Sequence, residues 1–135
     1  MILKKFKLFE SSDDIIQFGV TVDDLEFYFT DFIDNDYNLR IYPSSVLIDM
    51  RNKEEDNLFK LGIINYISVE IWKKSVRNKH NYRSIIETPE FKEIIDESND
   101  RLKDHGLFIK DVIPYGYRIS ILIYREIDKK YLQLK

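Results

Sequence analysis

Cysteine is absent from this 135-residue chain, and glycine and proline are scarce, with four and three copies. The lack of cysteine excludes disulfides, thiolate nucleophiles and cysteine-based zinc sites. Small secreted proteins usually depend on disulfides, so the absence is more typical of an intracellular protein. The scarcity of glycine and proline predicts long regular elements with few tight turns.

Side chains that carry out catalysis or bind metals are equally few. The two histidines, His80 and His105, are isolated in the sequence, and without a cysteine or an H-E-x-x-H motif they make a poor zinc site. The glycines are too scattered for a dinucleotide fingerprint or a phosphate loop. Because Gly106 follows His105, we interpret this histidine as part of a helix end. The residues indicate no cofactor, and we predict that the protein is not an enzyme.

One segment begins like a calcium-binding loop. Asp34, Asp36 and Asn38 match its first three ligand positions. The match then fails, because Leu39 occupies the position that needs glycine and Ser45 the position that needs a bidentate glutamate. Asp and Asn are also common turn formers, so we predict a turn at residues 34–38 and no metal site.

Long hydrophobic runs are also missing. The longest apolar stretches, such as "ISILIY", are far too short to span a bilayer, and lysines interrupt the N-terminal "MILKKFKLFE", which therefore does not match a signal peptide. We predict a cytoplasmic protein that does not enter a membrane. The abundance of Ile, Lys, Asn and Asp is typical of an AT-rich genome and indicates a bacterial or phage source.

The pattern of apolar residues predicts a single α+β domain over residues 1–135. Its sheet is expected to be antiparallel or mixed, with about five to six strands, and two helices accompany it. We predict helices at about 54–78 and 89–105, and strands at 2–9, 15–22, 25–33, 107–113 and 117–126, with further extended segments in 39–50 that are broken at Pro43.

The helix at 89–105 has the clearest signals. Thr88 is a good N-cap and Pro89 occupies the first helical position. An apolar stripe follows, and Gly106 provides a stop signal. In the last strand, alternation places apolar residues on both faces, which predicts a central position in the sheet.

Two segments have an alternative assignment. Residues 25–33 are rich in aromatics, which favours a strand, but Leu25, Phe29 and Phe32 also have helical spacing behind a possible Thr21 cap. Residues 54–78 have acids at their start and bases at their end, which favours a helix. The alternative there is a strand at "GIINYISVEIW", which is rich in strand formers.

Charge is distributed unevenly along the chain. No basic residue lies between Lys7 and Arg40, an interval that contains nine acids. The nine are Glu10, Asp13, Asp14, Asp23, Asp24, Glu26, Asp31, Asp34 and Asp36. The interval between Glu70 and Glu87 has the opposite character, with five basic residues and no acid. The simpler interpretation is that the two intervals pack together and partly neutralise each other.

A second interpretation is a binding surface for another protein. Aromatic residues are interleaved with the acids, so the segment offers charge for steering and rings for anchoring. We therefore predict an inhibitor or immunity-type protein that covers a basic, possibly nucleic-acid-handling, partner. The predicted contact residues are Asp23, Asp24, Glu26, Tyr28, Asp31, Asp34, Asp36 and Tyr37.

Three other functions stay open. Opposed acidic and basic patches can pair head to tail, which suits a structural subunit or a homo-oligomer. The stretch "WKKSVRNKHNYRS" combines cations and aromatics, as single-stranded nucleic-acid binders do. The net charge of −3 opposes such binding, so we do not expect it. An enzyme with an unrecognised site is the third alternative.

Overall fold

A four-stranded antiparallel sheet, covered on one face by helices, forms the framework of the protein. The computed structural model describes residues 15–49, 61–74 and 81–132. The strands are β1 (Ile15–Gln17), β2 (Val20–Thr21), β3 (Tyr37–Asp49), β4 (Leu61–Lys73), β5 (Leu107–Pro114) and β6 (Ile119–Arg125). The α-helices are α1 (Val22–Tyr28), α2 (Thr30–Asp34), α3 (Tyr82–Ile85), α4 (Pro89–Lys103) and α5 (Lys129–Leu132), with a 3-10 turn at Glu126–Asp128.

The core lies between the helices and the inner face of the sheet. The strand order is β3-β4-β6-β5, so β4 and β6 are the interior strands. Their inner-face residues pair across the strands and are fully buried: Ile67 with Ile123, Val69 with Ile121, and Ile71 with Ile119. Apolar residues of the covering helices complete the same cluster, namely Leu25, Phe29, Phe32, Phe91 and Leu102. The central position predicted for the last strand is confirmed.

Helix α4 forms as its sequence signals predict. The Thr88 hydroxyl accepts a hydrogen bond from the Phe91 N–H, and Pro89 occupies the first turn. Gly106 has a φ of +69°, a left-handed conformation that glycine adopts without steric cost and that ends the helical segment. The two strands that follow also form, at Leu107–Pro114 and Ile119–Arg125.

The strand predicted at 25–33 is wrong, because this segment folds as helices α1 and α2. The Thr21 hydroxyl accepts from the Asp24 N–H while the Asp24 carboxylate accepts from the Thr21 N–H, which makes a complete capping box. Leu25, Phe29 and Phe32 then all point into the core. Helical spacing and the cap therefore outweigh the strand preference of the aromatic residues.

The helix predicted at 54–78 is also wrong where the structure describes it, because residues 61–73 form the interior strand β4. Ile64, Ile67 and Ile71 also have helical spacing. In the strand, alternation decides instead, and Ile67 and Ile71 share the inner face with Val69. Pairing with strands on both sides favours these β-branched residues in extended conformation. Residues 54–60 and 75–78 lie outside the described part of the chain.

Two further strand predictions need correction. Residues 15–22 form a short hairpin, because Phe18 and Gly19 both have positive φ and reverse the chain between β1 and β2. Pro43 does not break β3, which runs through it without interruption. The Lys74 N–H donates to the Asp36 carbonyl, so in this register the even-numbered residues of β3 bond to β4. Pro43 therefore directs its nitrogen to the side of β3 on which no described strand pairs.

The α+β class is confirmed, but the element counts differ from the prediction. The described residues contain one four-stranded antiparallel sheet and one two-stranded hairpin, with five short or medium α-helices where two long ones were expected. The strand predicted at 2–9 lies outside the described residues. None of the helices in the described ranges is both long and apolar enough to cross a lipid bilayer.

Candidate functional site

The acidic–aromatic segment separates into two sides when it folds. Tyr28, Phe29, Phe32 and Tyr37 are buried and belong to the hydrophobic core. The carboxylates at Asp23, Glu26, Asp34 and Asp36 are exposed. Most of the aromatic residues therefore serve the core, and most of the charge faces solvent.

Phe27 is the exception among the aromatic residues of this segment. Its side chain is 64 % exposed, and its ring meets the edge of the Tyr28 ring at a centroid distance of 5.8 Å. Leu25 and Tyr28 are the buried residues of α1, so Phe27 lies on the exposed side of the helix, next to Glu26. A large apolar side chain thus stands among exposed carboxylates.

The Arg101 side chain on α4 contacts both α1 and α2. It donates to the Tyr28 carbonyl at 2.9 Å and lies 3.3 Å from an Asp31 carboxylate oxygen. A second carboxylate, Glu97, lies 3.9 Å from the same guanidinium. The Arg101 side chain is 30 % exposed, so most of it is covered by the protein.

The negative charges around Arg101 are crowded enough to shift pKa values. A hydrogen bond with Asp31 is the largest cause of the raised pKa of Glu97, followed by burial and by repulsion from Asp31 and Glu93. Burial raises the pKa of Tyr28, and the charges of Asp24 and Asp104 raise it further. Asp31 of α2 and Glu97 of α4 therefore lie together at Arg101, and Asp24 of α1 and Asp104 lie near Tyr28.

We call this region the acidic surface. It consists of the exposed and half-buried carboxylates of α1 and α2, those of Glu97 on α4 and Asp104 just after it, and the exposed ring beside them. Its residues are Asp23, Asp24, Glu26, Phe27, Asp31, Asp34, Glu97 and Asp104. The sequence identified the acidic residues between 23 and 34, although it assigned part of that segment to a strand, but not the contribution of Glu97 and Asp104, which depends on how the helices pack.

The basic interval meets the acidic segment at one described point. The Lys73 ammonium lies 3.3 Å from the Asn35 carbonyl oxygen and 4.5 Å from the centre of the Tyr37 ring. Lys74 contributes its backbone N–H to the Asp36 carbonyl. Arg77 and Lys79 lie outside the described residues. The described contacts thus place a lysine at the end of the acidic segment, away from Arg101.

A second polar cluster occupies the outer face of the sheet, where sequence reasoning placed no site. The Tyr42 hydroxyl donates to a Glu70 carboxylate oxygen at 2.7 Å, and the Arg118 Nε lies 3.0 Å from the same oxygen. That Nε makes no hydrogen bond, so its contact with Glu70 is an ion pair without directional geometry. Burial raises the pKa of Tyr42, and the bond to Glu70 raises it further.

Two tyrosines at the β5–β6 turn flank the Arg118 guanidinium. Its central carbon lies 4.9 Å from the centre of the Tyr115 ring and 4.7 Å from that of Tyr117. These are cation–π distances. Strand alternation separates Arg118 from Ile119 and Ile121, but its partner Glu70 lies 48 residues away in the sequence and no local signal connects them.

The far end of the β3–β4 hairpin carries exposed apolar side chains. Leu47 and Ile63 are cross-strand neighbours that are 60 % and 65 % exposed, and Val46 lies beside them. This hairpin continues past the end of the β4–β6 pairing at Ile67. The Leu47–Ile63 pair is therefore an exposed apolar patch outside the main core.

Ligating side chains do not converge within the described ranges. No group of three His, Asp or Glu residues there has the arrangement needed to hold a metal ion. The side chains of Asp34 and Asp36 are exposed beside a turn at residues 35–36, where Asp36 has a φ of +74°. His105 lies at the end of α4, with its N–H bonded to the Leu102 carbonyl and its ring 5.3 Å from that of Tyr28.

Comparison with known proteins adds no family. No family model matches the chain, and no curated protein and no solved structure is significantly similar to it.

Proposed function

We propose that the protein is a small protein-binding module, of the inhibitor or immunity type, whose acidic surface covers a basic surface of its partner. One observation supports this most strongly. The carboxylates of Asp31 on α2 and Glu97 on α4 meet at Arg101, which lies 70 residues from Asp31 in the sequence and is held by internal contacts. The acidic surface thus combines more negative charge than the sequence segment alone suggested.

The crowding of carboxylates suits a cationic partner. The pKa of Glu97 is raised, first by its hydrogen bond with Asp31 and then by burial and by repulsion from Asp31 and Glu93. A lysine or arginine of the partner beside these carboxylates would form a charge pair that the free protein lacks. The excess charge also attracts a basic protein over a distance of about 10 Å at 0.1 M salt.

Phe27 gives the same surface an apolar anchor. Binding energy in protein interfaces is concentrated in a few residues, and aromatic side chains that enter a pocket of the partner are prominent among them. Tyr28 and Tyr37, which were also predicted as contact residues, are buried beneath the acidic residues. We therefore propose contact through the exposed carboxylates and Phe27. A nucleic-acid-handling protein is one class of partner with a suitable basic surface.

Charge reversal on the acidic surface tests the proposal. The variant carries Asp23→Lys, Glu26→Lys and Asp34→Lys, three exposed positions that spare the Asp31–Arg101 contact. Wild type and variant are used to capture proteins from a lysate of the source cell, or of its host, at about 0.1 M and about 0.5 M salt. We expect one basic protein on the wild type, reduced at high salt and absent from the variant, with direct affinity of the purified pair confirming the result.

A matched control separates this surface from total charge. Glu87→Lys, Asp111→Lys and Glu126→Lys make the same change in net charge at positions outside the acidic surface. The control variant should bind the captured protein about as well as the wild type does. Equal loss in both variants, or equal binding by both, would show that the acidic surface is not the contact.

Self-association is the second candidate, and the exposed Leu47–Ile63 pair favours it. Leu47 and Ile63 form an apolar pair that a second copy could cover. Head-to-tail pairing of opposite charges is the other route, and it weakens as salt rises whereas apolar pairing does not. Sedimentation at low and high salt, for the wild type and for Leu47→Ser/Ile63→Ser, distinguishes the two, and a monomer under all conditions removes both.

A further inference from the structure

A cleft of about 510 Å³ lies at one end of the sheet, and none of the described residues that line it belongs to the acidic surface. Its volume falls within the range of roughly 300–1,000 Å³ that small-molecule sites occupy. The described residues that line it come from the start of α3 and from the β5–β6 turn. They are Asn81, Tyr82, Arg83, Pro114, Tyr115 and Gly116.

Both walls of the cleft are fixed to the sheet. The Tyr82 hydroxyl accepts a hydrogen bond from the Lys73 N–H at 2.9 Å, and the Tyr82 ring is buried in the core. On the other side, the Tyr115 N–H donates to the Arg118 carbonyl at 2.7 Å and closes the turn. The cleft is therefore formed before any ligand arrives, which lowers the entropic cost of binding.

The Tyr115 ring is held in place by a chain of contacts from the sheet. Tyr42 and Arg118 both contact the buried Glu70 carboxylate, and the Arg118 guanidinium stacks against the ring. The Tyr115 side chain is still 44 % exposed where it lines the cleft. A rigid ring with an open portion is suited to stacking against a planar group of a ligand.

The opposite wall provides a cation and an amide. Arg83 is exposed, and no carboxylate of the described residues forms an ion pair with it. The Asn81 side-chain oxygen accepts from the Ser84 N–H, which leaves the amide nitrogen with two N–H donors. A guanidinium recognises phosphate oxygens through paired N–H groups, so this wall is suited to an anionic group.

We propose that the cleft binds a nucleotide, with the base stacked on Tyr115 and the phosphate at Arg83. A planar ring and an anion joined in one small molecule satisfy both walls at once, and the cleft has the volume for such a ligand. This site uses different residues from the acidic surface and does not depend on the protein-binding function. The ligand is either a free nucleotide or the phosphorylated end of a nucleic-acid strand, since both present the same groups.

Titration calorimetry with adenosine monophosphate tests the proposal on the full-length protein. The wild type should bind saturably. Tyr115→Ala and Arg83→Gln should each reduce the affinity about tenfold or more, because one removes the stacking surface and the other the charge. Tyr115→Phe keeps the ring and should bind about as well as the wild type does. Circular dichroism of each variant establishes that the fold persists.

Two control variants make the result specific to the cleft. Tyr117 stacks on the same Arg118 guanidinium and is 70 % exposed, yet it is not among the described residues that line the cleft. Arg40 is likewise exposed, on β3. Tyr117→Ala and Arg40→Gln should change the affinity less than about twofold. No saturable binding by the wild type, or equal losses in these controls, overturns the proposal.

Further ligands identify the source of the nucleotide. Adenosine and inorganic phosphate alone should each bind more weakly than the monophosphate, because each engages one wall. A short single strand with a 5′-phosphate that binds more tightly than the monophosphate, and with the same dependence on Tyr115 and Arg83, would identify a strand end. Tighter binding of the monophosphate would identify a free nucleotide. Equal binding of inorganic phosphate and the monophosphate would contradict the stacking role of Tyr115.

Discussion

The packing of α1 and of the residue that ends it predicts very unequal losses of stability when two nearby phenylalanines are replaced. Phe29 is fully buried and stacks on Phe32 at a centroid distance of 6.1 Å, whereas Phe27 is 64 % exposed. Replacing a buried phenylalanine by alanine typically costs about 3–5 kcal/mol, from lost burial and from the cavity left behind. An exposed position away from such contacts changes stability by about 0.5 kcal/mol or less. Phe29→Ala should therefore destabilise the protein by several times more than Phe27→Ala.

Urea denaturation measures this difference directly. The fluorescence of Trp72 reports unfolding, since it is the single tryptophan and packs against the core. With a denaturant slope near 2 kcal/mol per M, a loss of about 4 kcal/mol moves the Phe29→Ala midpoint down by about 2 M. The Phe27→Ala midpoint should stay within about 0.3 M of the wild type. Similar midpoints for the two variants would refute the helical assignment of this segment and the division into a buried and an exposed side.

Three further perturbations test other parts of the fold. Thr88→Ala removes the N-cap of α4 and should cost about 1 kcal/mol in urea denaturation. Gly106→Ala should cost about 1–2 kcal/mol, because φ is +69° there, a conformation that is strained for a residue with a Cβ. A Cβ at this position would meet no neighbour within 4 Å, so no steric clash adds to that cost. Gly106→Asn should cost less. Burial raises the pKa of both Tyr37 and Tyr124 to about 12, so the unfolded state releases these protons first, near pH 10. Stability present below pH 10 should fall between pH 10 and 12, and an absorbance titration should show at least two late-ionising tyrosines, one fewer in Tyr37→Phe.

Local signals in the sequence were sufficient for some elements and insufficient for others. Helix α4 was predictable because Thr88, Pro89 and Gly106 each act on the backbone next to them. Strand β4 was not, because its isoleucines fit helical and alternating spacing equally well. Pairing with β3 and β6 decided between the two, and that pairing depends on residues far away in the chain.

The candidate sites show the same division. The uneven charge of residues 8–39 was visible in the sequence. The part played by Arg101 was not, because it approaches Asp31 across 70 residues only after α4 packs on the first two helices. The Tyr42–Glu70–Arg118 cluster likewise brings together three strands or strand ends. Contacts of this kind depend on tertiary packing, for which a single sequence provides no pattern.

The two edges of the four-stranded sheet have a consequence for aggregation. On β3, Pro43 presents a nitrogen without a hydrogen to the free edge, so a strand from another molecule would find a missing donor near the middle of its ladder. On β5, the pairing shifts between Ile109 and Asp111, and the Asn99 side chain already takes the Ile109 N–H. Each edge of the described sheet therefore interrupts the hydrogen-bond ladder that a strand of another molecule would need, which disfavours fibre growth even though tyrosines and the apolar Leu47–Ile63 pair are exposed.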